Sequence, residues 1–289
     1  MKAGGIVVTG ASGIVGRAVL AALRGHGNGV VPVVHGRTAD PDAIALDLAE
    51  SDLTDHVQAP DAVVHLAAAV PHAAVHGDTD VAADKTRRID ATVHRACGRW
   101  GCPVIYASTC GLYDRRDPRI KDEAAPVAAT SPHFWAKLES ERLMSDLPGA
   151  CVMRLSAPVG PGLRRGVVLA KFIERARAGQ PIQVWGSGRR EQDFIAAEDV
   201  AAFVALALSK RARGIFNVAS GEPVTMRALA ETVVEAIGRG SVQSSDNADP
   251  LDGETARYCI AHAAQALGWQ PRIPLRVAIE TIADGAFPA

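Results

Sequence analysis

The sequence predicts an α/β protein with a doubly wound parallel sheet and a smaller C-terminal lobe. Short β-branched runs alternate with longer helical patterns through the first half of the chain, which is typical of strands joined by crossover helices. A glycine-rich turn lies directly between the first strand and the first helix. After residue 156 the segments become rich in Gly, Pro and polar residues, so a second and looser lobe is expected.

The composition is that of an ordinary globular protein. With 48% hydrophobic and 22% charged residues, a chain of 289 residues can bury the core of one large domain or two unequal ones. A formal net charge of -1 gives no electrostatic reason to expect nucleic acid or an anionic membrane as a partner. The start, MKAGGIVVTG, lacks the plan of a secretory signal and no apolar run is long enough to span a bilayer, so a cytoplasmic protein is expected. Five cysteines without a CxxC pair suggest neither a disulfide framework nor a metal site.

The predicted elements of the first domain follow in a regular order. They are the strand GIVVT, the helix GRAVLAALRGHG, the strands GVVPVV and DAVVHLAA, the helix RRIDATVHRACGRW, the strand PVIYAS, a helix over residues 132–147 and the strand ACVMRLS. Pro148 and Gly149 end the helix that precedes the last strand. We predict up to six parallel strands in a first domain over residues 1–155.

The second lobe is predicted over residues 156–289. Short helices such as TMRALAETVVEAIG separate polar loops, including PVGPGLRRG and SSDNADPLDGE. The segments FIAAEDVAAFVALALS and GIFNVAS look like a helix and a strand that return to the first sheet. Residues near 190–220 are therefore expected to belong with the first domain.

The glycine turn TGASGIVG, residues 9–16, indicates a site for a dinucleotide. Its glycines let the backbone approach a pyrophosphate, whose charge then lies over the N-terminus of the following helix. The position between a strand and a helix is that of a Rossmann motif. The residues predicted to contact the cofactor here are Gly10, Ser12, Gly13, Ile14 and Gly16.

The end of the second strand favours NADP, with NAD as the alternative. A carboxylate at this place would bind the adenosine ribose, but the sequence reads VVHGRTAD. His35 and Arg37 are instead suited to a 2′-phosphate. Asp47, in ALDLAE, is placed either to bind the adenine amino group or to cap the following helical turn.

Seven segments resemble those of the extended short-chain dehydrogenase/reductase family, which contains NAD(P)-dependent epimerases, dehydratases and carbonyl reductases. They are TGASGIVG, DLAE, DAVVHLAA, YASTCGLYD, RLSAPVGPG, GQPIQVWGSGRREQDFIAAEDVA and ALGWQPRIPL. The resemblance covers nearly the whole chain and implies a Rossmann fold with a C-terminal substrate lobe. It also implies a homodimer formed through the helices near residues 80–100 and 132–147. The further cofactor contacts that it implies are Leu48, Leu66, Ala67, Ala68 and Ser156.

The YxxxK motif of the family falls on SPHFWAKLESE, where His133 replaces the tyrosine. The resemblance implies that Thr109 polarises the substrate oxygen, that residue 133 exchanges a proton with it, and that Lys137 holds the cofactor ribose. A histidine with a pKa near 6.5 titrates close to the working range, and Lys137 one turn away favours its neutral form. Three roles stay open for His133. They are proton transfer, substrate binding with the proton moved by a water on Thr109, the ribose hydroxyl or Tyr113, and a relic in a catalytically silent fold.

Departures from the family pattern cluster around the predicted substrate pocket. Gln192 stands where nucleotide-sugar enzymes of the family usually carry a diphosphate-binding arginine, and the loss of that guanidinium weakens the nucleotide-sugar interpretation. Asp90 replaces a common asparagine, and Asp114 a common glycine. The residues expected to contact substrate are His72, Cys110, Asp114 and Gln192.

We therefore predict an NAD(P)-dependent oxidoreductase, or an epimerase/dehydratase-type enzyme, that acts on a small carbonyl or hydroxyl compound. Neither nucleic acid nor a membrane is an expected partner. The alternative is a non-redox enzyme in which His133 acts as a base in elimination, isomerisation or cyclisation. A catalytically silent dinucleotide-binding protein is the third hypothesis.

Overall fold

A computed structural model describes residues 5–36, 38–70 and 78–285 of the chain. Arg37 and His72, which were predicted to contact a 2′-phosphate and the substrate, lie outside these residues. Within the described ranges, none of the helices combines the length and the apolar character that a membrane span needs.

Strands and helices alternate along the described chain. The strands are β1 (Ile6–Thr9), β2 (Val30–Val34), β3 (Ile44–Ala45), β4 (Ala62–His65), β5 (Val104–Thr109), β6 (Cys151–Leu155), β7 (Ala157–Val159), β8 (Pro181–Val184), β9 (Glu191–Gln192), β10 (Phe194–Ala196), β11 (Gly214–Val218), β12 (Val224–Thr225) and β13 (Ser241–Ser244). The helices are α1 (Ile14–Gly25), α2 (Asp78–Trp100), α3 (Pro132–Ser145), α4 (Val168–Arg177), α5 (Ala197–Lys210), α6 (Met226–Ile237), α7 (Ala261–Leu267) and α8 (Leu275–Asp284).

The main sheet is parallel and has the strand order β11-β6-β5-β4-β1-β2-β3. β1 lies inside it, with Ile6 opposite Val30 of β2 and Ala62 of β4. From β1 the chain builds outward to β2 and β3, then crosses to the other side and builds outward again from β4. The predicted doubly wound α/β fold is therefore confirmed. The reversal lies between β1 and β4, and the carboxyl ends of two such strands open the crevice in which sheets of this kind bind ligands.

Helices cover both faces of the sheet, which explains why its strands are nearly continuous apolar runs. β1, β4 and β6 are buried at every residue. On one face α1 and α5 pack on the sheet through residues such as Val19 and Phe203. On the other face α2 and α3 contribute Val93 and Met144. The two faces give the sheet a rigid carboxyl edge on which a site can be built.

The smaller lobe has its own apolar core between α4, α6 and α8. Ile173, Leu229 and Ile279 are fully buried in this core. β7 pairs parallel with β10, β8 pairs parallel with β13, and β9 runs antiparallel to β12.

The chain returns from the smaller lobe to the main sheet. β11 pairs parallel with β6, and α5 packs against α1. Trp269 fastens the C-terminal segment to this returning part, because its Nε1 donates to the carbonyl of Asp199 at 3.0 Å. The division at residue 155 stays a prediction.

Candidate active site

The glycine turn between β1 and α1 is too tight to hold side chains at two of its glycines. Gly10 has a φ of +67°, and a Cβ there would lie 2.7 Å from the main-chain nitrogen of Ala67 after β4. A Cβ on Gly16 would lie 2.3 Å from the carbonyl oxygen of Gly10. The turn therefore presents backbone at the crevice, as the close approach of a pyrophosphate requires.

The N-terminus of α1 can receive an anion. Its N-cap residue is Gly13, no side chain caps the helix, and the first turn contains no acidic residue. Ser12 is exposed before it, and Ile14 is half-buried at the first helical position. Unpaired main-chain N–H groups and the helix dipole favour a negatively charged group at this place.

Arg17 belongs to this site, although the sequence interpretation missed it. Its Nη1 donates to the carbonyl of Ser12 at 2.5 Å, and its Nη2 donates to the carbonyl of Pro161 at 2.6 Å. Gly162 makes room for the guanidinium, because a Cβ there would lie 2.1 Å from Nη2. The side chain joins the glycine turn to the loop after β7 and brings a positive charge beside the turn.

His35, Asp47 and Lys85 form a polar cluster at the predicted adenosine end. Asp47 Oδ2 lies 2.9 Å from Lys85 Nζ and 3.2 Å from His35 Nε2. Burial alone would raise the pKa of Asp47, but hydrogen bonds from Lys85, the Ala49 main chain and His35 lower it to about 2. Asp47 is therefore an anion whose partners include Lys85, a residue of α2 that sequence reasoning did not single out.

The end of β4 is fastened to the glycine turn. Thr9 Oγ1 accepts the main-chain N–H groups of Leu66 and Ala67 at 3.2 and 3.3 Å. Leu66, Ala67 and Ala68 are half-buried beside the crevice. Leu48, by contrast, has its side chain in the apolar core under the sheet. The cofactor contact of Leu48 stays a prediction, and the buried side chain leaves it to the main chain.

Thr109 ends β5 with its hydroxyl already oriented. Oγ1 accepts the main-chain N–H of Gly111 at 3.0 Å and caps the short helical turn Cys110–Leu112. The hydroxyl hydrogen is left to donate to another partner. Phe134 packs on Gly111, because a Cβ on that glycine would lie 2.5 Å from the phenyl ring. Through this contact the start of α3 packs against the end of β5. His133, the residue before Phe134, therefore lies near the carboxyl edge of the sheet, where Thr109 ends β5.

His133 lies in the first turn of α3, which is capped by the Ser131 hydroxyl. Its imidazole is half-buried, and Nδ1 is buried without a hydrogen-bond partner among the described residues. Burial lowers the pKa of His133, and the charge of Lys137 lowers it further against the opposing effect of Asp90. The imidazole is therefore neutral near neutral pH and has an unused nitrogen.

Lys137 follows one turn after His133 on α3 and is buried. Nζ donates to the hydroxyl of Tyr106 at 3.1 Å and to the carbonyl of Ala107 at 3.0 Å. Burial lowers the pKa of Lys137, while the carboxylate of Asp90 opposes this effect. Two ammonium hydrogens are used inside the protein, which leaves one for a ligand. Tyr106, a residue of β5 that sequence reasoning did not single out, is thus a direct partner of the lysine.

Tyr113 and Cys110 point into the protein. The Tyr113 hydroxyl donates to Asn217 Oδ1 at 2.7 Å and accepts from Arg154 Nη1 at 2.8 Å, and burial raises its pKa. The Cys110 thiol is buried and donates to the carbonyl of Arg154 at 3.1 Å. Both hydrogens are used in the core, which argues against the predicted substrate contact of Cys110 and against proton donation by Tyr113.

Ser156 follows β6, and its buried Oγ lies beside the carboxylate of Asp193. Burial raises the pKa of Asp193, and the hydroxyl of Ser156 opposes this effect. The predicted cofactor contact of Ser156 stays a prediction. A bound molecule can satisfy the buried Nδ1 of His133. The bare backbone of the glycine turn and the open N-terminus of α1 fit a dinucleotide.

Two arginines of the smaller lobe are paired with carboxylates. Arg190 Nε lies 2.7 Å from Asp249 Oδ2, and Arg257 Nη2 lies 2.7 Å from Glu191 Oε1. A diphosphate would have to compete with these carboxylates for the guanidinium groups.

Gln192 is the last residue of β9, and Asp114 follows the helical turn after β5. Gln192 is half-buried, and its Oε1 accepts from Arg115 Nη2 at 3.2 Å. Asp114 is exposed, and its Oδ1 accepts the main-chain N–H of Arg116 at 2.9 Å. Both side chains have local partners, and their predicted roles in substrate binding stay predictions.

Known proteins resemble this chain along most of its length. It is 29% identical to the low-salt glycan biosynthesis protein Agl12 of Haloferax volcanii over 170 residues, which are 56% of this chain and about half, 54%, of Agl12. It is 25% identical to the UDP-glucose 4-epimerase of Mycolicibacterium smegmatis over 296 residues, covering 93% of this chain and 94% of that enzyme. The solved structure of MoeE5 in complex with UDP-glucuronic acid and NAD matches with a TM-score of 0.83 and 25% identity, covering 97% of this chain and 98% of MoeE5.

The sequence profile of the NAD dependent epimerase/dehydratase family matches residues 6–219. The matched range runs from the first residue of β1 to the residue after β11, so it contains the main sheet, the glycine turn and the Thr109–His133–Lys137 region. The resemblance to extended short-chain dehydrogenases/reductases is thereby confirmed. The chain belongs to the NAD-dependent epimerase/dehydratase family of enzymes.

Proposed function

We propose that the protein is an NAD(P)-dependent oxidoreductase or epimerase that acts on a hydroxyl or carbonyl group, with His133 as its proton-transfer residue. One observation carries the proposal: His133, with an unused buried nitrogen, lies one turn before Lys137 at the sheet edge where Thr109 ends β5. A bound nicotinamide dinucleotide supplies hydride transfer. The side chains described above hold the reactants and move the proton.

Thr109 positions the substrate oxygen in this proposal. The N–H of Gly111 occupies one lone pair of the hydroxyl and thereby restricts its rotation. The remaining hydrogen donates to the oxygen of the substrate, whether that oxygen is a carbonyl or is acquiring negative charge. A donor that is oriented before the reaction stabilises such charge without reorganisation.

His133 exchanges a proton with the same oxygen. Because its pKa is lowered, the imidazole accepts the hydroxyl proton of an alcohol without prior activation. In carbonyl reduction it first takes up a proton from water and then delivers it. A tyrosine, with a pKa near 10, needs a neighbouring lysine for this work, whereas an imidazole does not. Lys137 therefore does not need to activate the base. It holds the cofactor ribose and lowers the pKa of His133.

A small carbonyl or hydroxyl compound is the proposed substrate, and a nucleotide sugar is the competing class. The names of the relatives support the second class, because one is a UDP-glucose 4-epimerase and another was solved with UDP-glucuronic acid. The pairing of Arg190 with Asp249 and of Arg257 with Glu191 supports the first, since these arginines are already neutralised. Both classes contain the secondary hydroxyl groups on which the proposed chemistry acts.

NADP is the proposed preference of the adenosine end. His35, at the end of β2, stands where a ribose-binding carboxylate would favour NAD, and Lys85 adds a positive charge nearby. Asp47 partly neutralises this charge, so the preference over NAD is expected to be modest. MoeE5 was solved with NAD, which makes NAD the direct comparison.

A cytoplasmic homodimer completes the proposal. α2 and α3 pack against each other and leave Val81 and Trp135 with 66% and 50% of their surface exposed. Size-exclusion chromatography with light scattering tests the assembly, with Trp135→Glu as the variant expected to dissociate it. A monomeric wild type contradicts it.

The test of function measures dinucleotide binding first and turnover second. Wild type, His133→Phe and the matched control His56→Phe, at an exposed position, are titrated with NADPH and NADH by fluorescence. Each is then assayed with carbonyl compounds, alcohols and nucleotide sugars. We expect His133→Phe to bind the dinucleotide and to lose about 100-fold or more in kcat, while the control keeps both properties.

Two results contradict the proposal in different ways. Turnover by His133→Phe at the wild-type rate removes His133 from proton transfer. Dinucleotide binding by wild type without redox or epimerase turnover of any panel member replaces the proposal with the non-redox or silent alternatives.

A further inference from the structure

A buried chain of hydrogen-bonded side chains connects the glycine turn to Lys137. Its members are at most 5% exposed and come from β1, β4, α2, β5 and α3. In order they are Thr9, His65, Asp90, Tyr106 and Lys137.

The partners of Thr9 and His65 assign the direction of the first two bonds. Thr9 Oγ1 accepts from the N–H groups of Leu66 and Ala67, so its hydroxyl donates to His65 Nδ1 at 2.6 Å. His65 then carries its hydrogen on Nε2 and donates it to Asp90 Oδ1 at 2.8 Å. The imidazole therefore lies between a hydroxyl donor and a carboxylate acceptor.

The partners of Tyr106 assign the other end. The tyrosine hydroxyl accepts from Lys137 Nζ at 3.1 Å and donates to Asp90 Oδ2 at 2.8 Å. Both oxygens of Asp90 thus accept hydrogen bonds, which is the pattern of an ionised carboxylate. The Tyr106 hydroxyl therefore lies between the ammonium of Lys137 and the carboxylate of Asp90 and bonds to both.

Asp90 is the carboxylate that faces this ammonium within the described residues. Glu141, one turn after Lys137 on α3, is engaged by Arg154 Nη2 at 2.6 Å and by the Ser108 hydroxyl at 2.7 Å. The remaining titratable neighbours are His65, Tyr106 and His133. None of these supplies a negative charge near neutral pH, because an imidazole side chain is not an anion there and burial raises the pKa of Tyr106 well above its usual range.

We propose that Asp90 is a positioning residue, which balances the buried charge of Lys137 through the Tyr106 hydroxyl and so fixes the ammonium beside His133. An asparagine, the common residue at this place in the family that the chain resembles, can accept a hydrogen bond but carries no charge. A buried ammonium without a counter-ion gives up its proton more readily. An aspartate at residue 90 therefore keeps Lys137 charged, and the charged lysine in turn keeps the imidazole of His133 neutral.

The charge of Lys137 affects the pKa of His133. Lys137 lowers the pKa of His133 more than Asp90 raises it. If Asp90→Asn causes Lys137 to lose its proton, both effects vanish together and the pKa of His133 rises. If Lys137 stays charged without Asp90, the pKa of His133 falls. An upward change in the pKa of His133 therefore indicates that Asp90 is the counter-ion of Lys137. A downward change or no change indicates that the role of Asp90 is only structural.

The first experiment is a double-mutant cycle on thermal stability. Asp90→Asn is expected to lower the Tm by roughly 10 °C, because a buried pair loses one partner. The double variant Asp90→Asn/Lys137→Met is expected to lose clearly less than the sum of the two single losses. Additive losses overturn the proposal. If Asp90→Asn gives no folded protein, the double variant must fold, and its failure to fold also overturns the proposal.

The second experiment follows the His133 ring by NMR as the pH is changed, with the signal assigned through His133→Gln. An upward shift of its pKa in Asp90→Asn is expected, and a downward shift or no shift overturns the proposal. Asp84→Asn is the matched control, because Asp84 lies on the same helix with its side chain 72% exposed and is expected to leave the pKa of His133 unchanged.

The role of Asp90 in turnover rests on the proposed function, but neither experiment needs substrate or cofactor. If the stability losses of Asp90→Asn and Lys137→Met are not additive but the protein shows no turnover, the ion pair is established and the proposed function is refuted. If the protein shows turnover but the losses are additive, the proposed function stands and the role of Asp90 is refuted.

Discussion

Arg154 and Glu141 form an ion pair inside the protein: Nη2 lies 2.6 Å from Oε1, and the two side chains are 5% and 4% exposed. Burial alone would lower the pKa of Arg154, but Glu141 raises it well above its usual range. The pair ties α3 to β6, and the hydroxyl of Ser108 ties the same carboxylate to β5 at 2.7 Å. The helix that carries His133 and Lys137 is thereby fixed to two strands of the sheet.

Glu141→Gln is expected to destabilise the fold by about 3–5 kcal/mol, because it leaves a guanidinium buried without its counter-ion. Glu139→Gln is the matched control on the same helix. Glu139 pairs with Arg87 at the surface, where the side chains are 53% and 38% exposed, so its loss is expected to cost less than about 1 kcal/mol. Urea unfolding measures both, and equal effects would mean that the buried pair contributes nothing beyond a surface pair.

Gly16→Ala is expected to weaken dinucleotide binding by roughly 100-fold, or about 2.7 kcal/mol. The new Cβ would lie 2.3 Å from the carbonyl oxygen of Gly10, so the turn must open and its backbone must move away from the crevice. Gly25→Ala, at the other end of α1, meets no atom within 4 Å and serves as the control. Fluorescence titration measures affinity, and circular dichroism verifies the fold. Unchanged affinity in Gly16→Ala would place the dinucleotide elsewhere.

His133 is expected to make stability depend on pH below neutrality. Its folded pKa is depressed below 6.5, so the unfolded chain binds a proton at pH values where the folded chain does not. The stabilisation is therefore fully present above pH 6.5 and is lost as the pH falls through the folded pKa. We expect His133→Gln to flatten the fall in Tm between about pH 7 and pH 5, and His56→Gln to leave it unchanged. Parallel curves for wild type and His133→Gln would refute a depressed pKa.

His133→Tyr is expected to move the pH dependence of alcohol oxidation upward. The wild-type base is an imidazole with a pKa below 6.5, whereas the replacement is a phenol with an ordinary pKa near 10 that Lys137 lowers only in part. The kcat of wild type should therefore reach its plateau at a lower pH than the kcat of the variant. An identical apparent pKa in both proteins would assign the observed titration to another group.

The fold was predictable because its signals are local. Six of the seven strands of the main sheet lie in short apolar runs, most crossovers contain a helical pattern, and the glycine turn lies between the first two elements. The seventh strand, β3 (Ile44–Ala45), was not predicted, because two residues are too few for a recognisable run. The return of the chain to the main sheet near residue 200 was also predictable. A helical pattern (α5) and an apolar run (β11) follow there directly after a segment rich in loops. What the sequence did not show was the order of the short strands in the smaller lobe, because pairs such as β8 and β13 are distant in the chain.

The candidate site was predictable only where one residue could be recognised without its partners. Thr109, His133 and Lys137 lie in recognisable motifs, whereas Arg17 and Lys85 are ordinary helix cations until the contacts with Pro161 and Asp47 are seen. These contacts join residues far apart in the chain, which no local pattern predicts.

Tyr106 had a signal that was passed over. Alternate residues of a strand point to the same face, so Tyr106 and Ser108 both point toward α3. Their hydroxyl groups bond to Lys137 and Glu141 of that helix. The alternation in VIYAST therefore contains the information, once β5 is known to be followed by a helix that packs on it.

The pairing of β11 with β6 has a consequence for the order in which the protein is made. β6 ends at residue 155, but the strand that covers its open side begins only at residue 214. While the ribosome adds the intervening residues, β6 presents an unpaired row of N–H and C=O groups, which is a template for pairing with another chain. Synthesis thus passes through an interval in which the nascent sheet is exposed to aggregation, and arrest of translation before residue 214 prolongs it.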